Sequence, residues 1–335
     1  MPFQIVRNDI AKMTVDAIVN AANSALQMGG GVCGAIFSAA GAKQQQSECD
    51  RIGRCATGEA VVTGAYELPA RFIIHAVGPI WRGGNGGEEG LLRSCYLNSL
   101  RLAVEKGCES IAFPLISSGI YGYPKHLALQ VAVTAIGDFL REHDMTVYLV
   151  VFDREPSLLD EASFSSIKKY VCDHYMDDQD TGPLYRRLSQ ASAFPQFSVR
   201  NETDFCGAVP APTARRSLED VISRVEETFS EMLLRLIDEK GLTDVEVYKR
   251  ANMDRKLFSK IRSNRDYKPG KPTATALAIA LKLNLDETLD LLKRAGYTLS
   301  HSSKADLIVE YFIRERIFDI YQINEALFTF DQPLL

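Results

Sequence analysis

The chain has no long apolar run. None reaches the ~18–20 residues that a membrane helix needs. Its first twenty residues carry Arg7, Asp9, Lys12 and Asp16, which interrupt any stretch of the kind a secretory leader requires. The expectation is a cytoplasmic protein with no membrane partner. Its cysteines do not pair either. Cys33, Cys49, Cys55, Cys95, Cys108, Cys172 and Cys206 are odd in number and follow no framework spacing, so they read as free thiols. The five histidines do not cluster with them, and Cys49 and Cys55 lack the spacing of a zinc pair, so no metal is expected. No internal repeat is visible.

What is present is ordinary in bulk and uneven in place. A chain of 335 residues is long for one core, which predicts two domains. Hydrophobic residues at 46% and charged residues at 24% are normal for a globular protein. The net charge of −5 hides one basic window, because residues 241–275 hold nine basic and four acidic side chains.

The first half alternates short apolar strands with helical stretches. Strands are predicted at Phe3–Arg7, Ala17–Asn20, Ala60–Thr63, Phe72–Ala76, Ser110–Leu115 and Val147–Phe152. Helices are predicted near 33–54, 88–106, 124–142 and 156–172. Nearly continuous apolar strands between helices indicate an α/β sheet covered on both faces. From Asp173 to Arg216 periodicity gives way to acidic and proline residues, which predicts a linker, with Tyr185, Phe194, Phe197 and Phe205 docking on a domain. From Ser217 the pattern is helical, with Leu218, Val221, Ile222, Val225, Phe229, Leu233 and Ile237 at helix spacing. The domains are thus predicted as 1–172, a linker 173–216, and an all-α domain 217–335.

Two loops carry the chemistry of the first domain. In DAIVNAANSALQMGGGVCGAIFSAAG (16–41), a buried strand leads past Asn20 and Asn23 to Gly29, Gly30 and Gly31, and then to a helix starting near Val32. Consecutive glycines let backbone N–H groups approach a ligand, and a helix N-terminus adds partial positive charge. SIAFPLISSGIYGYP (110–124) repeats the design with Ser117, Ser118, Gly119 and Gly122 before a helix at Pro124. Two such loops could clamp a diphosphate. Gly29-x-Gly31-x-x-Gly34 matches a dinucleotide fingerprint literally. However, several residues separate it from its strand, and the acidic residues that follow, Glu48 and Asp50, sit in a polar helix.

These motifs together resemble a macro domain of the MacroD-like branch. The matching pieces are NDI (8–10), VDAIVNAAN (15–23), GGGV (29–32), AAG (39–41), IIHAVGP (73–79), LLRSCY (91–96) and IAFPLISSGIYGYP (111–124). The resemblance implies a three-layer α/β/α sandwich with a mixed sheet. It also implies ADP-ribose or a derivative, free or on a macromolecule, as ligand, with no separate cofactor. By that resemblance Asp9 would accept from the adenine amino group beside Ile10, and Phe152 would stack on the ring. Gly30, Gly31 and Val32 would line one side of the diphosphate, and Ser118, Gly119, Ile120 and Tyr121 the other. Asn23 would reach the distal ribose. Local readings stand beside these: Asp9 as a turn cap, Phe152 as core, Asn20 and His75 as structural residues.

The match fails at one position. Where MacroD-like hydrolases carry an aspartate after the glycine run, this chain has Cys33, and Phe37 replaces the usual histidine. A thiol is a better nucleophile and a poorer base than a carboxylate. Three readings stay open. Cys33 packs in a domain that only binds; or hydrolysis proceeds slowly with water held by Asn23 and the substrate's phosphate; or Cys33 is itself a nucleophile. Asn23 and Cys33 are therefore the catalytic candidates, for an ADP-ribosyl hydrolase or O-acetyl-ADP-ribose deacetylase.

Residues 244–295 resemble a lambda-repressor-like helix-turn-helix domain. A helix with Val247, Tyr248 and Ala251 meets a turn at Asn252–Met253, and a second helix runs from Asp254 to Ser263. Its exposed Arg255, Lys256, Lys260 and Arg262 are candidates for contact with DNA, since the excess basic charge falls there. The other reading is a protein-interaction module. The apolar tail Ala305–Leu335 is predicted to pack on the helical domain or to form a homodimer interface.

Overall fold

The structure, a computed structural model, describes residues 2–152, 159–175 and 227–335. Six strands, β1 (Phe3–Arg7), β2 (Ala17–Ala21), β3 (Ala60–Gly64), β4 (Phe72–Ala76), β5 (Ser110–Pro114) and β6 (Thr146–Val151), form one sheet in the order β1-β6-β5-β2-β4-β3. Every pairing is parallel except β3 with β4, so the sheet is mixed. Alternate side chains of one strand serve opposite layers. Ala17 and Val19 of β2 pack with the helices α3 (Glu88–Glu105) and α4 (Lys125–Glu142) on one face. Ile18 packs with Ile36 and Ala40 of α1 (Gly31–Ala40) on the other, where α2 (Ala42–Ile52) also lies. The three-layer sandwich follows from this alternation.

The six predicted strands fall where the apolar runs place them. The single helix predicted over 33–54 is two helices, broken at Gly41, whose φ of 92° lies in the left-handed region that glycine enters most cheaply.

The second region is all-helical: α5 (Glu161–His174), α6 (Phe229–Glu239), α7 (Asp244–Arg250), α8 (Arg255–Ser263), α9 (Lys271–Ala280), α10 (Leu285–Arg294), α11 (Lys304–Arg314) and α12 (Ile320–Thr329). The pattern reads as helical from Ser217 through Ile237; among the described residues α6 begins at Phe229. There Thr228 accepts from the Glu231 N–H while the Glu231 carboxylate reaches back to Thr228, a reciprocal cap that fixes the start. Leu218, Val221, Ile222, Val225, most of the expected linker with its four aromatics, and Cys206 lie outside the described residues. Ile167 and Val171 of α5 share one core with Leu233, Leu277, Leu292, Leu307 and Ile323, so α5 packs as part of the helical layer. The apolar tail is consumed inside the chain: α11 and α12 close this core, and Phe328 crosses into the core of the sandwich.

The two regions meet along the sheet edge. Phe3 of β1 donates its N–H to Asn252 Oδ1 (3.0 Å), and Asn252 Nδ2 donates to Phe3 O (2.8 Å). The amide of a single buried side chain thus takes the place of a neighbouring strand. Tyr321 of α12 meets Phe3 edge-on at 5.5 Å between ring centroids.

Candidate functional site

All strands but β3 share one direction, so their C-terminal ends lie along a single rim, where open α/β sheets take ligands. A cleft of ≈ 670 Å³ opens there. Asp9 and Ile10 reach it from the end of β1, Phe152 from β6, and Ser118, Gly119, Ile120 and Tyr121 from β5. Asn23, Gly30, Gly31, Val32 and Cys33 reach it from β2. The structure therefore gathers every ligand-binding candidate and both catalytic candidates of the sandwich into one cavity.

The glycine loop is set by backbone constraints. Gly31 opens α1 with φ 60°, and the cap position, Gly30, offers no side chain to the first-turn N–H groups. Those donors and the positive end of the helix dipole are left for an anion. Gly34 lies one turn on, and a Cβ there would stand 2.6 Å from Gly29 O. The last glycine of the fingerprint is thus needed for the loop to fold back on its own helix. Across the cleft, a Cβ on Gly30 would meet Ile120 Cδ1 at 3.9 Å, so the two loops converge.

Several side chains are occupied by the loops themselves. Ser118 Oγ donates to Leu115 O (2.8 Å), so what Ser118 offers a ligand is mainly backbone. Asn23 accepts from the Ala25 and Gln27 N–H groups and donates to Gln27 O at 2.7 Å, bracing the loop after β2. Asp9 caps a short 3-10 turn by accepting from Ala11 N, with Lys12 at 3.3 Å from its other oxygen. The cap reading and the cleft-lining reading of Asp9 both hold. Phe152 is 79% exposed, so it is not core.

Beneath the cleft lies a buried polar cluster. His75 on β4 faces Asn20 Nδ2 through Nδ1 (3.1 Å), and through Nε2 it faces Thr63 Oγ1 and Gln45 Nε2, both at 3.0 Å. Burial pushes its pKa down to about 4, which keeps it neutral. A neutral imidazole has one N–H and one lone pair, so one of the two facing amides presents its oxygen. His75 and Asn20 are structural, as their burial requires. Cys33 is 7% exposed, with Sγ 3.6 Å from Asn20 Nδ2 and 4.0 Å from Gln27 O. Burial raises the Cys49 thiol, and lifts Cys55 to about 11 and Cys95 to about 12, which suits packing rather than reaction. Among the described residues no cluster of metal-ligating side chains occurs.

Sequence reasoning placed Ser117 in the second loop without a site role and missed Gly78; both also line the cleft. A Cβ on Gly78 would lie 2.2 Å from Ser117 Oγ, and Ser117 adopts φ 64° with its hydroxyl buried and unpaired. The signal for Gly78 was available: it follows β4 as the first glycine past a buried parallel strand, on the same rim.

The sequence profile described as "Macro domain" matches residues 19–132. A macro domain-containing protein of Chlorobaculum tepidum is 49% identical over 160 residues, which cover 47% of this chain and 92% of that protein. The chain belongs to the macro domain family. The O-acetyl-ADP-ribose deacetylase of Escherichia coli strain K12 is 46% identical over 168 residues, covering 47% of this chain and 92% of that macro domain protein. A solved Oceanobacillus iheyensis macrodomain with ADP is 41% identical, with a TM-score of 0.43, covering 51% of this chain and 92% of that one.

Proposed function

We propose that the cleft binds ADP-ribose and that the chain reads or slowly hydrolyses ADP-ribose derivatives, either O-acetyl-ADP-ribose or ADP-ribosylated macromolecules. One observation carries this reading: two glycine-bearing loops converge on a single rim, with the uncapped start of α1 between them. That arrangement supplies backbone donors to a diphosphate. Asp9 at one end can accept from an adenine amino group and Phe152 can stack on the ring, while Asn23 and Cys33 stand at the other. The O-acetyl-ADP-ribose deacetylase among the relatives supports an ester on ADP-ribose as substrate.

Turnover is slow in this reading because no carboxylate occupies position 33. A well-placed general base contributes roughly 10²–10⁴-fold. Cys33→Asp is therefore expected to raise hydrolysis of ADP-ribosylated protein, because the new carboxylate can accept from Asn20. Cys33→Ala should change little. Loss of all activity in Cys33→Ala with binding intact would instead make the thiol catalytic. No turnover in any of the three proteins would leave a binding domain alone.

A second reading concerns α7, the turn and α8. The basic window is partly neutralised: Arg250 pairs with Glu246, Arg262 with Asp244, Arg265 with Glu231 and Lys271 with Asp306. Arg255 and Lys256 are exposed at the start of α8, and Lys260 lies 5.2 Å over the Tyr267 ring. This face is suited to duplex DNA phosphates and favours an ADP-ribose-responsive DNA-binding regulator. Retention of the full chain on DNA at low salt should fall in Lys256→Ala/Lys260→Ala. Unchanged retention would discard the DNA reading in favour of a protein partner for the helical region.

A further inference from the structure

The helical region holds the chain just before Asp9, at the end of the cleft that would meet adenine. Arg7 ends β1, two positions before Asp9. Its guanidinium lies 4.5 Å above the Phe328 ring, its Nη2 donates to Phe328 O (3.4 Å), and its Nη1 pairs with Asp331. Phe328 is the penultimate residue of α12, and its ring is buried in the core of the sandwich. Two residues on, Phe330 stacks on Phe164 of α5, with centroids 5.1 Å apart and planes 8° from parallel. α5 is the first described helix after Phe152 along the chain, and its Ile167 and Val171 are sealed in the helical core.

Phe152 has no packing of its own to place it. Its described position follows from the end of β6. Asp9 sits in a one-turn 3-10 element, and its position follows from the end of β1. One short segment, Phe328–Asp331, contacts Arg7 on one side and α5 on the other. The described contacts of this segment run toward β1 and α5, on the side of the sheet away from Asn23 and Gly78.

We infer that the C-terminal end of α12, through Arg7, positions the Asp9 side of the adenine end of the cleft. Helical docking and ligand affinity are then thermodynamically linked. Arg7, Phe328 and Asp331 are positioning residues in this account and touch no ligand. The inference rests on the ADP-ribose reading, and linkage makes it reciprocal: what the docked helix does for the ligand, the ligand must do for the helix.

The test uses the full chain. Arg7→Ala removes the ion pair, the ring contact and the backbone hydrogen bond together. It should weaken ADP-ribose binding about fivefold, the low end of ordinary coupling. Arg7→Lys, which keeps the charge beside Asp331, should recover most of that loss. In the wild type, ADP-ribose should slow amide exchange at residues 320–331 and leave α6 unchanged. This reciprocal effect would not arise if Arg7 served stability alone. Undiminished affinity in Arg7→Ala, or the same exchange at 320–331 with and without ligand, overturns the inference while leaving the binding reading intact. Absence of wild-type binding removes both.

Discussion

Gly34→Ala is expected to reduce ADP-ribose affinity at least about tenfold, or ~1.4 kcal/mol, while leaving the sandwich folded. The reason is a single contact. The new methyl would stand 2.6 Å from Gly29 O, and a backbone oxygen cannot swing away as a side-chain end can. Either the Gly29–Gly31 loop moves off the start of α1 or the first turn of α1 unwinds. Both displace the donors that face the cleft. Gly90→Ala is the matching control. Gly90 lies within α3 with nothing within 4 Å of a new Cβ, so that change should leave affinity alone and add roughly 0.5–1 kcal/mol of helix stability. Calorimetric titration and thermal unfolding of both variants decide the matter. Equal affinity in Gly34→Ala and wild type would mean that the glycine loop does not bind the ligand.

The largest effect on stability is expected at Asn252. Its amide satisfies the N–H and C=O of Phe3 together, from a left-handed backbone at φ 50° that asparagine tolerates better than most residues. Asn252→Ala leaves two buried backbone groups unpaired, each costing about 1–3 kcal/mol, and adds strain at the turn. A total loss of ~3–5 kcal/mol is expected. Because the bonds join two regions, the loss should appear as separation of one unfolding transition into two. Asn252→Gly relieves the backbone strain but restores neither bond, so it should recover only a small part. A change below about 0.5 kcal/mol in Asn252→Ala, the range of an ordinary surface substitution, would show that the edge of β1 does not depend on this contact.

The sandwich was legible because buried parallel strands read as apolar runs, and because ligands at such a sheet come from strand ends. The two glycine loops could be placed on one rim from that pattern alone, whereas Asp9, Asn23, Ile120 and Phe152 join them only through the resemblance to macro domains. Other features have no local signature. Ser118 turns its hydroxyl onto Leu115, a choice made by loop geometry that spacing does not encode. Gly34 stands out as the last glycine of a fingerprint, but its reason, the Gly29 O beside it, is not local to the spacing. Asn252 reads as a turn former, and nothing near it in sequence reveals that its amide meets a strand at the other end of the chain. The start of α6 rests on a reciprocal cap between Thr228 and Glu231, which apolar spacing alone does not reveal. The helical turn of 244–263 was legible because Asp254 carries its cap signal locally and accepts from Leu257 N.

The most direct test of the account is calorimetric titration of the full chain with ADP-ribose. Convergent glycine loops, an uncapped helix start, a carboxylate at Asp9 and an open ring at Phe152 together predict one site per chain with a dissociation constant in the micromolar range or tighter, ~8 kcal/mol. Asp9→Ala should weaken that binding while leaving the sandwich folded. A single saturable site that is weakened by Asp9→Ala is the result the account predicts. No heat with ADP-ribose across the titration would contradict it.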